Sequence, residues 1–85
     1  MDAIQVEIGD LVVIRFDDKP EKPLRVRLSR TENKPEAGVI SVTEPLGEAL
    51  LGASEDDEVE IKVSGRVRVA HIERIEKAAV VRLAS

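Results

Sequence analysis

Apolar and charged residues alternate one by one along several stretches of this chain. Residues 24–29 read LRVRLS, residues 58–63 read EVEIKV, and residues 4–8 follow the same rule as IQVEI. Successive side chains of a β-strand point to opposite faces, so each stretch has one face for a core and one for water. The alternation therefore predicts an antiparallel sheet with one solvated face.

Turn-forming residues separate the first predicted strands. Residues 11–16 are apolar on both faces except at Arg15, which predicts a central strand. The polar stretch 17–23 contains two prolines, and proline can neither continue a helix nor donate to a sheet. We therefore expect residues 17–23 to connect the central strand to residues 24–30 as a hairpin.

The second half of the chain predicts another hairpin. Ser64 and Gly65 form a short turn signal between residues 58–63 and 66–72, both of which alternate. The apolar residues change phase after Val69, and a β-bulge near Ala70 and His71 would account for the change.

Residues 45–52, PLGEALLG, interrupt the β pattern. Leu46, Ala49 and Leu50 have helical spacing, and proline suits the first position of a helix. Gly52 is well placed for the left-handed conformation that ends many helices. These residues predict about two turns of helix, laid across the concave face of the sheet.

Composition excludes several functional classes. Phe16 is the single aromatic residue, whereas modules that bind single strands by stacking need aromatic platforms. The formal charge of −4 argues against binding driven by nucleic-acid phosphates, so we expect no specific nucleic-acid binding. The chain has no cysteine, and no apolar run has the roughly 18 residues of a membrane span.

Charge is distributed unevenly along the chain. Residues 44–62 contain seven acids and one base, whereas residues 63–85 contain two acids and five bases. Such a pattern is most often that of an ordinary solvated surface, and the alternative is a dipolar surface that orients a charged partner.

No set of residues predicts catalysis, a metal site or a cofactor. His71 is the single histidine, and no base, nucleophile or metal ligand can be placed beside it from the sequence. The acidic run 55–58 lacks the alternate ligand positions and central glycine of a calcium loop, and Asp17-Asp18 lacks further magnesium ligands. We therefore predict that the protein is not an enzyme.

Residues 40–61 resemble a known family. The run ISVTEPLGEALLG at 40–52, followed by EDDEVEI at 55–61, is similar to the C-terminal domain of the bacterial Gre (GreA/GreB) transcript-cleavage factors. The opening residues 6–12 resemble the start of that domain, and residues 24–32 resemble the strand and loop that follow. The resemblance covers residues 4–75 and is most specific at 40–61.

The resemblance implies a fold, a partner and a contact site. The fold is α+β and FKBP-like, a strongly bent antiparallel sheet wrapped around one short helix. The partner is RNA polymerase, which the domain would contact at the rim of the secondary channel. The implied location is the cytoplasm. The residues expected to bind it surround the start of the helix: Thr43, Glu44, Pro45, Leu46 and Glu48.

Two departures from the family shape the functional prediction. Gre factors carry an N-terminal coiled-coil hairpin whose acidic tip helps to hold the catalytic magnesium of the polymerase, and no heptad run precedes Ile4. We therefore expect a module that binds polymerase and modulates transcription without stimulating cleavage. Glu44 stands where the family usually has serine, so the helix cap differs.

The sequence divides into a Gre-like domain, residues 1–75, and an apolar tail, residues 76–85. The tail is equally consistent with an added edge strand, a helical turn or a dimer contact. The alternative prediction is therefore a structural or interaction domain of a larger protein, or a module that forms homodimers through this tail.

Overall fold

The computed structural model describes residues 4–78 as five strands, one α-helix and one short 3₁₀ helix. In chain order these are β1 (Leu11–Phe16), β2 (Leu24–Ser29), the 3₁₀ helix (Pro35–Ala37), β3 (Val39–Ser41), α1 (Pro45–Leu50), β4 (Glu58–Val63) and β5 (Arg66–Glu76). Within this part of the chain, no helix has the length and apolarity that a membrane crossing requires.

The five strands form one strongly curled sheet in the order β3-β2-β1-β5-β4. The central position of β1 and both predicted hairpins, β1–β2 and β4–β5, are confirmed. The predicted class, a bent sheet around one short helix, is confirmed too. The sheet is nevertheless mixed, because β3 pairs with β2 in parallel. The loop and 3₁₀ helix carry the chain back before β3 begins, so β3 runs in the direction of β2.

Helix α1 lies between the two ends of the curled sheet. The outermost strands are β3 and β4, and α1 contacts both of them. An uncovered edge strand is a template for unwanted pairing, and covering it with a helix removes that liability. The core between helix and sheet includes Val12 and Ile14 of β1, Leu28 of β2, Leu50 of α1 and Ile72 of β5, all at most 1 % exposed.

The prediction of a strand at residues 4–8 was wrong. These residues form only an isolated bridge, between Gln5 and Ser54. Val6 is 1 % exposed, and its backbone N–H donates to the Ala53 carbonyl at 2.8 Å. The alternation therefore reflects one buried valine between exposed neighbours rather than a strand of the sheet.

The predicted bulge exists, but it lies further along β5. Val13 pairs with Arg74 and the next residue, Ile14, pairs with Ile72, so Glu73 is the extra residue. Because a bulge adds one residue, it changes which side chains face the core. This is why Ile72 and Ile75 are both buried although they are three residues apart.

Strand β5 ends at Glu76, one residue beyond the predicted domain boundary. The boundary at residue 75 and the role of the tail stay predictions. Residues 79–85, which make up most of that tail, lie outside the described residues.

Candidate docking surface

Helix α1 begins at Pro45 and ends at Leu50, as the sequence predicted. Glu44 is the N-cap in an extended conformation, and its side chain makes no capping hydrogen bond. The Glu48 N–H donates to the Glu44 carbonyl at 2.8 Å and thereby closes the first turn. Gly52 follows the C-cap with a φ of 85°, the left-handed conformation predicted for it.

Glycine at position 47 lets α1 lie against the backbone of β3. A Cβ atom built on Gly47 would lie 2.0 Å from the Ser41 carbonyl oxygen and 2.9 Å from the Val42 Cα atom. Real Cβ atoms essentially never approach other atoms within 3.0 Å. The close packing of helix on strand therefore requires glycine, and it fixes where the start of α1 sits.

Ser41 organises the turn that leads into the helix. The residue is 2 % exposed. Its Oγ accepts the Thr43 N–H at 3.1 Å and shares a hydrogen bond with the Thr43 Oγ1 at 2.7 Å. Its carbonyl accepts the Glu44 N–H at 3.0 Å. These bonds satisfy buried polar groups and hold Thr43 and Glu44 in one conformation.

Asn33 supports the same turn from the preceding loop. Its Oδ1 accepts the Ser41 N–H at 3.0 Å, and its Nδ2 donates to the Glu44 Oε1 at 3.2 Å. One amide side chain thus connects a buried strand residue to an exposed carboxylate. Sequence reasoning missed Asn33, because nothing in the polar loop 31–38 distinguishes it from its neighbours.

We define the docking surface as the five residues predicted to bind a partner: Thr43, Glu44, Pro45, Leu46 and Glu48. The structure brings them together at the start of α1. Leu46 packs partly against the core, and the other four side chains are exposed. Pro45 and Leu46 border a shallow depression that Pro35, Ile40 and Val63 also line. The surface therefore combines two apolar residues, Pro45 and Leu46, which we call the apolar ridge, with two carboxylates.

The acidic residues considered as metal ligands have structural roles instead. The Glu55 Oε2 accepts the Ile75 N–H at 2.9 Å, and the Asp57 Oδ2 accepts the Ser54 N–H at 2.9 Å. Among residues 4–78, no three or more His, Cys, Asp or Glu side chains are arranged to hold a metal ion. Residues 55–57 thus belong to the turn that connects α1 to β4, and Glu58 is the first residue of β4.

His71 and Asp18 pair with charged neighbours on the sheet. The His71 Nδ1 lies 3.5 Å from the Glu58 Oε2, on the adjacent strand. Arg68 donates two hydrogen bonds to Asp18, at 2.9 and 3.1 Å, and these lower the pKa of the Asp18 carboxyl. The Arg68 guanidinium also lies 3.8 Å from the centre of the Phe16 ring. Arg68 thereby fixes the loop after β1.

A buried carboxylate, which sequence reasoning also missed, joins the two ends of the described chain. Asp10 is 2 % exposed and accepts hydrogen bonds from the Glu7 N–H at 2.8 Å and the Ala78 N–H at 2.9 Å. The Lys77 Nζ donates to it at 2.5 Å, and also to Glu7 at 2.9 Å.

These contacts set the charge state of both partners. Burial by itself would raise the pKa of the Asp10 carboxyl, but the hydrogen bonds from Lys77, Ala78 and Glu7 outweigh it, so that this pKa is lowered. The hydrogen bonds to Asp10 and Glu7 raise the pKa of Lys77. Both residues are therefore charged at neutral pH.

Comparison with known proteins identifies the family. Residues 1–77 match the family model for the C-terminal domain of the transcription elongation factor GreA/GreB. GreA of Nautilia profundicola is 35% identical over 71 residues, which are 84% of this chain and 44% of that protein. GreA of Zymomonas mobilis is 36% identical over 73 residues, 80% of this chain and 46% of that protein. The chain thus spans less than half the length of these relatives.

Solved structures show the same fold. A GreA/GreB factor from Nitrosomonas europaea superposes with a TM-score of 0.69 at 23% identity, covering 91% of this chain and 64% of that one. GreA factor homolog 1 of Thermus thermophilus gives a TM-score of 0.71 at 22% identity, covering 89% and 51%. The family model and the GreA relatives show that this chain belongs to the GreA/GreB family of transcription elongation factors.

Proposed function

We propose that the chain binds RNA polymerase at the rim of the secondary channel and modulates transcription there without stimulating transcript cleavage. The observation that supports this most directly is the docking surface at the start of α1. It occupies the segment in which the resemblance to Gre factors is most specific, and four of its five side chains are exposed.

Contacts within the fold position the residues of the docking surface, which suits binding. Gly47 allows α1 to pack closely on β3. The hydrogen bonds of Ser41 and Asn33 position Thr43 and Glu44 in the unbound chain. Preorganised contact residues lose little conformational freedom on association, so more of the contact energy contributes to affinity.

Cleavage is left out of the proposed function because of the domain that the chain matches. In the family that the sequence resembles, cleavage depends on the acidic tip of an N-terminal coiled coil, whereas residues 1–77 match the C-terminal domain. The carboxylates of the docking surface, Glu44 and Glu48, lie in the short helix α1 and at its N-cap, not at the tip of a coiled coil.

Binding is tested with immobilised bacterial core polymerase and the 85-residue chain. We expect the variants Glu44→Lys and Glu48→Lys to raise the Kd by about fivefold to tenfold each, because both charges lie where contact is proposed. Asp17→Lys is the matched control, since this exposed carboxylate follows β1, outside the docking surface. No binding at tens of micromolar, or equal effects of all three changes, would reject the proposed site.

Cleavage is tested on backtracked elongation complexes, with a full-length GreA as the positive control. We expect the chain alone to leave the transcript intact and an excess of chain to inhibit GreA-stimulated cleavage by competing for its site. Cleavage above background with the chain alone would contradict the proposal. Inhibition that persists with the Glu44→Lys variant would show that competition does not involve the docking surface.

A further inference from the structure

The tip of the β4–β5 hairpin exposes an apolar side chain beside the docking surface. Val63, the last residue of β4, is 44% exposed. It lies two residues after the buried Ile61 and therefore faces the same, concave side of the sheet. Ser64 and Gly65 follow with φ values of 52° and 76°, which is the tight hairpin turn that holds Val63 at the tip.

Val63 connects two neighbouring depressions. One is the depression beside α1, which Pro45 and Leu46 border. The other, of about 420 Å³, lies on the hairpin and is lined by Lys19, Arg66 and Arg68 together with Asp18. The apolar ridge of the docking surface thus continues from Leu46 through Val63 onto the hairpin.

The two ends of this extended ridge carry opposite charge. Glu44 and Glu48 stand at the α1 end, where Glu60 and Lys62 of β4 add one acid and one base, so that the net charge there is negative. At the hairpin end, Asp18 is the one carboxylate among three cations that line the depression, and it is already paired with Arg68. This surface is therefore acidic at one end and basic at the other.

We propose that the docking surface extends onto the β4–β5 hairpin and accepts a polymerase segment with an apolar centre, a basic side chain toward α1 and an acidic side chain toward Arg66 and Lys19. This inference rests on the proposed function and adds the partner's chemistry and its orientation. A segment docked in reverse would place like charges together at both ends, which disfavours that orientation. The polarity thus selects one orientation.

The apolar extension is tested with a matched pair of valines on the same hairpin. Val67 is 55% exposed and pairs with Lys62, so it lies on the opposite, outer face of the sheet. We expect Val63→Asn to raise the Kd for immobilised core polymerase by about fivefold, as for a contact residue near the centre of an interface. Val67→Asn should leave the Kd within about twofold.

The charge polarity is tested with a matched pair of arginines. Arg25 pairs with Val13 on the outer face of the sheet, and its side chain is 65% exposed. We expect Arg66→Glu to lower the association rate by about fivefold at low ionic strength, and by less as salt is added, because rim charges act mainly through steering. Arg25→Glu should leave the rate unchanged.

The outcomes separate this inference from the proposed function. If Glu44→Lys weakens binding while Val63→Asn and Arg66→Glu do not, the extension is wrong and the site on α1 stands. If the unmodified chain does not bind polymerase, both proposals fall. Weakening by Val67→Asn or Arg25→Glu equal to that of their counterparts would also overturn the extension, because it would place the contact on the outer face.

Discussion

At position 47 the side chain is absent because the backbone of another segment occupies its space. The Ser41 carbonyl lies 2.0 Å from where a Cβ would be, and Gly47 itself is buried. A glycine inside a helix costs about 1 kcal/mol relative to alanine. That cost is offset by the packing of α1 on β3, which no residue with a side chain would permit.

Gly47→Ala should destabilise the protein by about 3 kcal/mol, because backbone atoms would have to move and overpacking of this kind is expensive. Gly52→Ala is the matched control. Its Cβ would meet no atom within 4 Å, so only the strain of a φ of 85° remains, about 1–2 kcal/mol. Urea denaturation followed by circular dichroism measures both. A smaller loss for Gly47→Ala than for Gly52→Ala would contradict the close contact.

The hydrogen bonds of Asn33 predict that a negative charge at position 33 is harmful while Glu44 is present. Asn33→Asp keeps the acceptor for the Ser41 N–H but places a carboxylate against Glu44, so we expect the turn to loosen and polymerase affinity to fall about threefold. Adding Glu44→Gln restores a donor and an acceptor at the same place. The double variant should unfold at a higher urea concentration than Asn33→Asp alone; stability is the readout because Glu44→Gln also removes a proposed contact charge. Failure of this rescue would limit Asn33 to its bond with Ser41.

Among the elements, α1 was predicted from sequence and the reason is local. Pro45 and Gly52 mark its two ends by their own conformational limits, whatever the rest of the chain does. The cap is the exception. Glu44 occupies the N-cap with no side-chain hydrogen bond to the helix, so α1 begins without the stabilisation that serine provides there.

Glu44→Ser should therefore stabilise the protein by about 1 kcal/mol, because a serine Oγ at the N-cap accepts an N–H of the first turn. Glu44→Ala removes the same carboxylate and its bond to Asn33 without supplying a cap, so it separates the two effects. The difference in free energy of unfolding between these variants, measured in urea, is the contribution of the cap. Equal stabilities would show that α1 is held by packing alone.

The strands show where periodicity succeeds and where it fails. Strands β1, β2, β4 and β5 were predicted because each has several alternating or apolar residues. Strand β3 has three residues, too few for a period, and its parallel pairing depends on the path of the preceding loop. Residues 4–8 alternate without being a strand, because burial of Val6 alone gives the same pattern.

At the scale of the whole molecule, the resemblance predicted the residues at the start of α1. The other residues around this surface could not be predicted from the sequence. Asn33 and Ile40, from one end of the curled sheet, line the same depression as Val63, from the other end. They meet only because the sheet curls and α1 spans its two edges. No local pattern encodes that closure, since it arises from contacts between residues far apart in sequence.

The pairing of Asp10 with Lys77 acts at the same scale, because it connects positions 67 residues apart. The lowered pKa of Asp10 means that its contribution to stability is present above the unfolded value of about 3.9 and is lost as pH falls through the folded value. The raised pKa of Lys77 means that its contribution is present below about 10.4 and is lost as pH rises through the folded value. Between these limits both ends of the described chain are held together by charge.

Asp10→Asn should accordingly lower the free energy of unfolding by about 2 kcal/mol at pH 7, since charge-assisted hydrogen bonds to a buried carboxylate are weakened. Lys77 remains 39% exposed, which screens its share of the interaction. Below pH 4 the unmodified chain loses the same contribution, so the difference between the two proteins should shrink as the pH falls. Asp17→Asn is the control, because this carboxylate is exposed and its replacement should change the free energy of unfolding little. Urea denaturation followed by circular dichroism measures the loss in free energy of unfolding for each of the two variants at pH 7 and at pH 3. An Asp10→Asn loss that is as large at pH 3 as at pH 7 would show that Asp10 stabilises the fold by packing rather than by its charge.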